Sequence, residues 1–307
     1  MRELEPFGGL GRVERMIALR SFPAWHDLLP QELATLSAIA RPGRVRAGAT
    51  LIGLEDDVDA IFLVVHGRVV SRRHGAELGR YGPGDAVGGL VAFTGDSTGY
   101  EVVALEDTVL LTFQVTELEE LFEDRFSILA RVLRAMSRQA IQLRRALGGT
   151  AGFPASADPG ETCPARSLDL VQRMVYLRRS LAMQSSSIDS VAVLAKTAEE
   201  IRLAPGDVLW RVGDPSSSIV VVLCGRLRGT NADGIRFELG AGDLAGSLDA
   251  TAEVPRWYDC EVIDGLVALR LPRDITLDVW EDHPELPLGL LGQFSRTVLA
   301  LLEQRPR

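Results

Sequence analysis

The chain has 307 residues, 33 Lys and Arg against 42 Asp and Glu, a net charge of −9 at neutral pH, and 46% hydrophobic residues. That length suits two domains with real hydrophobic cores. The acidic balance sets the chain's field against nucleic-acid backbones and anionic membranes, which it repels.

Three cysteines, Cys163, Cys224 and Cys260, make an odd count with no C-x-x-C spacing. This predicts free thiols in a reducing compartment, with Cys224 and Cys260 serving as small buried hydrophobes. The longest strongly apolar run, Ile219 to Cys224, is far below the roughly 20 residues that span a bilayer. The opening Met1-Arg2-Glu3-Leu4-Glu5-Pro6 lacks the apolar core of a signal peptide. The expected location is the cytoplasm, with no membrane span.

In chain order, the first predicted helix runs from Pro30 to Ile39. Short β-rich runs follow, among them 60–65, 68–70 and 102–113, separated by glycine turns. A helical stretch comes next, in which Leu129, Leu133, Met136, Ala140, Leu143 and Leu147 alternate spacings of four and three. That is one apolar stripe, fit to pack on a β-layer or to seat a second copy, so a homodimer through 129–147 is a candidate. Gly, Pro, Ala and Ser then crowd 148–161, which reads as a linker. After it the order repeats: a helix over 187–197, strands at 219–223 and 266–271, and a tail helix.

The repeat has an offset of 158 residues. Gly48 falls on Gly206, Asp56 on Asp214, Gly67-Arg68 on Gly225-Arg226, Gly84-Asp85 on Gly242-Asp243, Gly88 on Gly246 and Tyr100 on Tyr258. No gap is needed from Arg44/Arg202 to Leu111/Leu269. Most matches are turn glycines, so the copies share backbone geometry and not only composition.

Helices, an eight-strand roll and a closing helix, with Gly-Asp-x-x-Gly partway along, resemble the cyclic-nucleotide-binding domain family. The stretches that carry the resemblance are Val45-Arg46-Ala47-Gly48-Ala49-Thr50-Leu51 and Gly82-Pro83-Gly84-Asp85-Ala86-Val87-Gly88. Their counterparts are Leu203-Ala204-Pro205-Gly206-Asp207-Val208-Leu209 and Gly240-Ala241-Gly242-Asp243-Leu244-Ala245-Gly246. The resemblance implies a mainly β fold with flanking α: two tandem β-rolls (double-stranded β-helix, or jelly roll), each with N- and C-terminal helices. The expected domains are 15–147 and 169–305, joined by a linker over 148–168.

In that family a phosphate-binding cassette reads about F-G-E-L-A, a loop, then R-x-A-T/S. The Arg clamps the cyclic phosphate, as a rigid, permanently charged fork suits. The Glu accepts from the ribose 2′-hydroxyl. Copy one departs from the pattern at both places. In Gly88-Gly89-Leu90, Gly89 stands for the Glu; further on, Thr98 stands for the Arg, followed by Tyr100. Copy two reads Gly246-Ser247-Leu248, with Ser247 for the Glu, and then keeps the arginine in Pro255-Arg256-Trp257-Tyr258. A hydrogen bond to a charged group contributes about 1.5–3 kcal/mol, so each lost contact costs roughly ten- to a hundredfold in affinity. Copy one is therefore a degenerate site. Gly246, Ser247, Leu248, Arg256, Trp257 and Tyr258 form the candidate ligand site of copy two, in which Trp257 and Tyr258 either fill the pocket or add a stacking surface.

Other classes fit less well. A helix-turn-helix is not seen after either roll, and the arginines of 131–145 lie opposite the apolar stripe, so DNA is not expected as a partner. A metal-binding cupin needs clustered histidines, whereas His26, His66, His74 and His283 form no H-x-H pair. No P-loop or G-x-S-x-G elbow is present, so no catalytic residue, metal site or cofactor is expected. Residues 1–22 show no basic inhibitor segment like that ahead of kinase A regulatory domains. The sequence therefore predicts a non-enzymatic regulatory or adaptor protein that acts through a protein partner. The alternative is a sensor that binds a cyclic mono- or dinucleotide in the second domain through Arg256.

Overall fold

A computed structural model describes residues 4–147 and 163–304. In the first copy, β1 (Glu5–Pro6) and α1 (Arg12–Arg20) precede α2 (Pro30–Ile39). Then come β2 (Arg41–Val45), β3 (Thr50–Ile52), β4 (Ala60–His66), β5 (Val69–Arg73), β6 (Ala76–Tyr81), β7 (Ala86–Val87), α3 (Gly89–Thr94), β8 (Tyr100–Ala104) and β9 (Thr108–Gln114). Helices α4 (Val115–Asp124) and α5 (Phe126–Leu147) close it.

The second copy opens with α6 (Leu170–Leu177) and α7 (Ile188–Thr197). It continues through β10 (Glu199–Leu203), β11 (Val208–Trp210), β12 (Ser218–Cys224), β13 (Leu227–Asn231), β14 (Arg236–Leu239), β15 (Leu244–Ala245), α8 (Ser247–Ala252), β16 (Tyr258–Val262) and β17 (Leu266–Pro272). It ends with α9 (Arg273–Asp282) and α10 (Glu285–Glu303).

Each copy is two facing antiparallel sheets. The first pairs β1-β2-β9-β4-β7 with β3-β8-β5-β6, and the second pairs β10-β17-β12-β15 with β11-β16-β13-β14. This is the expected pair of β-rolls with flanking helices. The duplication reaches into the irregularities of the backbone. Ile61 opposes Phe113 as Ile219 opposes Leu271, and bulges fall between Val64 and His66 and between Val222 and Cys224. The bulge at Thr50/Ile52 likewise recurs at Val208/Trp210. The equivalence of elements runs from α1 through α4, well past the ungapped window read from identities.

Local chemistry explains the elements. β4 and β12 are near-continuous apolar runs, buried on both faces, as strands between two layers must be. Pro30 occupies the first turn of α2, where its missing N–H leaves no bond unmade. Ser187 caps α7 by accepting from the Ser190 amide. The turn after β12 needs glycine: Gly225 has φ +89°, and a Cβ there would lie 2.1 Å from the Gly265 carbonyl oxygen.

The described residues fall into two compact units. One comprises those up to Ala135 together with Val298–Glu303, and the other those from Met136 to Thr297 together with Gln304. Of the apolar stripe of α5, Leu129, Leu133, Ala140 and Leu143 are buried, and Met136 and Leu147 are partly exposed. No helix among the described residues is long and apolar enough to cross a membrane.

The linker expected over 148–168 lies mostly outside the described residues. Its described end is held down: Arg202 Nη1 donates to the Pro164 carbonyl at 2.5 Å, and the Leu168 amide donates to Glu200 at 2.9 Å. The expectation of three free thiols is corrected here. Cys163 and Cys224 form a disulfide with Cα atoms 5.3 Å apart, and only Cys260 is free. The partners are 61 residues apart in sequence, and only the return of the chain to the end of β12 brings them within bonding range. The reducing compartment inferred from unpaired cysteines loses its support with them.

Candidate functional site

The second cassette starts where β15 ends. Gly246 turns the chain at φ +74° into the six-residue helix α8. Ser247 stands at the position of the family's Glu, but its hydroxyl donates to the Leu244 carbonyl at 2.9 Å and faces no ligand space. Leu248 is buried in the core. Between α8 and β16 the chain passes Arg256, whose amide donates to the Asp214 carbonyl at 2.9 Å. This pins the arginine beside β12.

Both Nη atoms of the Arg256 guanidinium are engaged from within the chain. Nη1 donates to Asp249 Oδ2 at 3.0 Å and to the Gly246 carbonyl at 3.2 Å, and Nη2 donates to the Ser218 carbonyl at 2.6 Å. Its central carbon sits 4.0 Å from the centre of the Trp210 ring, a cation–π distance. The side chains of Arg256 and Asp249 are 2% and 1% exposed. Asp249 is the third residue of α8 and stands where the family motif has its final alanine. An anion is thus seated on the arginine, and the chain itself supplies it.

The electrostatics follow from burial. Desolvation pushes the Asp249 carboxyl up to about 6 while the neighbouring guanidinium pulls it down. Burial likewise lifts the Cys260 thiol to about 12 and drives the Tyr258 phenol well above its ordinary value, so both stay neutral.

Large rings occupy the remaining space. Trp257 stacks on Phe237 with centroids 5.6 Å apart, and Tyr258 meets Phe237 and Trp257 edge-on at 4.9 Å. Arg144 of α5 lies against the same cluster, 5.9 Å from the Phe237 ring centre, and burial lowers its pKa to about 9. The Tyr258 hydroxyl accepts the Gly246 amide at 3.0 Å. Trp257 and Tyr258 are themselves buried, at 5% and 2% exposed.

The first cassette is closed by a different set of residues. Gly88 has φ +91°, and the Tyr100 hydroxyl takes a backbone hydrogen bond from it, matching Gly246 and Tyr258. Gly89 and Leu90 begin α3 and offer no polar side chain. Thr98, at the arginine position, spends its amide on Asp96 Oδ1 at 3.1 Å. A guanidinium does reach this loop: Arg73 of β5 donates to the Thr98 carbonyl at 3.2 Å and to Asp96 Oδ2 at 2.5 Å. Hydrogen bonds from Thr98, with Arg73 adding to them, hold Asp96 below the usual carboxylate range. The cavity beside this cassette is lined by Leu51, Ile52, Phe62 and the carboxylates Asp56, Asp57 and Asp59, and its volume is about 10 Å³. That is room for about one water, among charges of the wrong sign for a phosphate.

Sequence reasoning named Arg256, Trp257, Tyr258 and the cassette glycines. It missed Asp249, Arg73, Asp96, Arg144, Trp210 and Phe237. For Asp249 a signal existed, a carboxylate at an alanine position of the cassette. For Arg73 and Arg144 none did, because the fold alone brings β5 and α5 to the sites.

The chain belongs to the cyclic nucleotide-binding domain family, whose model matches residues 42–125 and 200–283, more than half of its length. It is a tandem cyclic-nucleotide-binding domain protein, with one match on each roll. Among curated proteins it is similar to human patatin-like phospholipase domain-containing protein 6, with 24% identity over 294 residues. That alignment covers 89% of this chain and 18% of the human protein. It is also similar to lysophospholipase nte1 of Neurospora crassa, with 27% identity over 114 residues, covering 36% of this chain and 8% of that protein. The chain therefore spans under a fifth of the length of these relatives. These matches overturn the expectation that nothing enzymatic attaches to this chain: the curated relatives carry phospholipase or lysophospholipase in their names.

Among solved structures, a regulatory domain of Toxoplasma gondii PKA with cAMP aligns over 92% of this chain and 95% of its own, with TM-score 0.35 and 17% identity. The N-terminal domain of a Streptomyces coelicolor transcriptional regulator aligns over 39% of this chain and 90% of its own, with TM-score 0.35 and 26% identity.

Proposed function

We propose that this chain is a regulatory module whose two cyclic-nucleotide-binding-type domains act by protein contact and hold no cyclic nucleotide at neutral pH. One observation carries the reading: the Arg256 guanidinium is paired at 3.0 Å with Asp249, and both are buried. A fixed phosphate needs a fixed positive fork, and here that fork already holds a carboxylate. Arg73 in the first domain is likewise spent on Asp96. The partner class we infer is a hydrolase domain, in the same polypeptide or on another, because the relatives named for a phospholipase domain include a stretch similar to most of this chain.

The test is calorimetric titration of the protein at pH 7.5 with cAMP, cGMP and cyclic dinucleotides. Silence at millimolar ligand is expected. Saturable binding that Arg256→Ala abolishes would overturn the reading and establish the sensor alternative, in which a nucleotide displaces Asp249 from the second domain.

A further inference from the structure

The pairing of Asp249 with Arg256 has the form of a lock. The guanidinium does not depend on Asp249 for its position. The Gly246 and Ser218 carbonyls and the Trp210 face hold it from the other sides, so it stays aimed at the same point if the carboxylate is lost. The pair is also incompletely satisfied. Arg256 Nε is buried without a hydrogen-bond partner, as is Asp249 Oδ1. A buried pair with unmet hydrogen-bonding capacity is held weakly compared with a fully satisfied one.

We propose that Asp249 is an internal anion that locks the second cassette, and that neutralising or removing it opens Arg256 to a small phosphate-type oxyanion. This rests on the closed reading of the second domain given above. The occupant is small because Trp257, Tyr258 and Phe237 fill the space that a base and ribose would need.

Mild acid is one key to the lock. The titratable and charged groups that face Asp249 are few. Arg256 is the cation paired with it, and Tyr258 and Cys260 of β16 are kept neutral by burial. Ser216, before β12, contributes only a hydroxyl, which donates to the Asp249 carbonyl. Nearby Asp214 and Asp259 spend their carboxylates on the Arg211 and Val212 amides, and Arg144 stands beyond the rings on Phe237. Protonation between pH 7.5 and 5.5 therefore falls on Asp249 among these groups, and it removes the charge that competes for Arg256.

The experiment uses the full chain and sulfate, whose charge is the same at pH 7.5 and 5.5, with cAMP as a separate arm. Calorimetry compares wild type, Asp249→Ala and Asp249→Ala with Arg256→Met. Wild type is expected to be silent toward sulfate at pH 7.5 and to bind it at pH 5.5. Asp249→Ala is expected to bind it at least tenfold more tightly than wild type at pH 7.5, and the double variant to lose that gain. Folded Asp249→Ala with no gain overturns the lock. If that variant does not fold, wild type at pH 5.5 decides alone, and silence there overturns the lock. cAMP binding to Asp249→Ala would keep the lock but overturn the exclusion of nucleotides by the rings. Nucleotide binding by wild type at pH 7.5 is the separate result that overturns the proposed function.

Discussion

Tyr258 and Gly246, twelve residues apart, are joined by a buried hydrogen bond of 3.0 Å in which the glycine amide donates to the phenol. Tyr100 and Gly88 repeat the relationship at the same offset. Each tyrosine thus satisfies an amide at the entrance of its cassette, an amide that would otherwise be buried without a partner. Tyr258→Phe should destabilise the second unit by about 1–3 kcal/mol, the penalty for an unmet buried donor. Tyr100→Phe should do the same in the first. Urea titrations of the two variants check this, and midpoints within error of wild type would count against it.

Arg256 and Asp249 are coupled, and a double-mutant cycle measures how strongly. Arg256→Met leaves Asp249 as an uncompensated buried charge, which costs about 3–5 kcal/mol. Adding Asp249→Leu should recover part of that loss, because the pair is then replaced by apolar groups. The coupling should fall within the roughly 0.5–3 kcal/mol seen for residues in contact. Additive effects of the two changes would show that the pair is not a unit.

The same carboxyl gives stability a pH signature. Its folded value, about 6, lies above its ordinary 3.8, so folding takes up a proton in the window between them. Its contribution is fully present below about pH 3.8 and is lost as pH rises through about 6. Relative to Asp249→Asn, wild type should therefore lose stability from pH 4 to pH 6 and run parallel to it above pH 7. Chemical denaturation of both proteins across that range provides the comparison. A constant difference would contradict it.

Cys163 ties the start of the second copy to the end of β12 through Cys224. A cross-link that closes a loop of this size typically contributes about 2–4 kcal/mol. Reductant should lower the melting temperature of wild type and leave that of Cys163→Ser unchanged. Alkylation and mass measurement without reductant should count one free thiol, and a count of three would rule the bond out.

Much of the architecture was legible because it was written twice. Turn glycines such as Gly48 and Gly206, or Gly84 and Gly242, sit where the backbone takes positive φ. Steric demand of that kind leaves its mark on residue identity, so the offset exposed two rolls before any strand pairing was known. The cassettes were legible only as substitutions. Arg256 is a candidate ligand clamp in the sequence, because the letter R is the same whether its guanidinium faces a phosphate or an aspartate.

The amino-acid order by itself determined the duplicated rolls and their flanking helices, since periodicity and glycine placement are local in the chain. Tertiary structure alone decided what the cassettes hold. Arg73 reaches Asp96 from strand β5, α5 carries Arg144 to the rings over Phe237, and Cys163 meets Cys224 across 61 residues. Those pairings are set by distance and burial in the folded chain, and charge–charge and thiol chemistry leave no spacing rule from which they can be read.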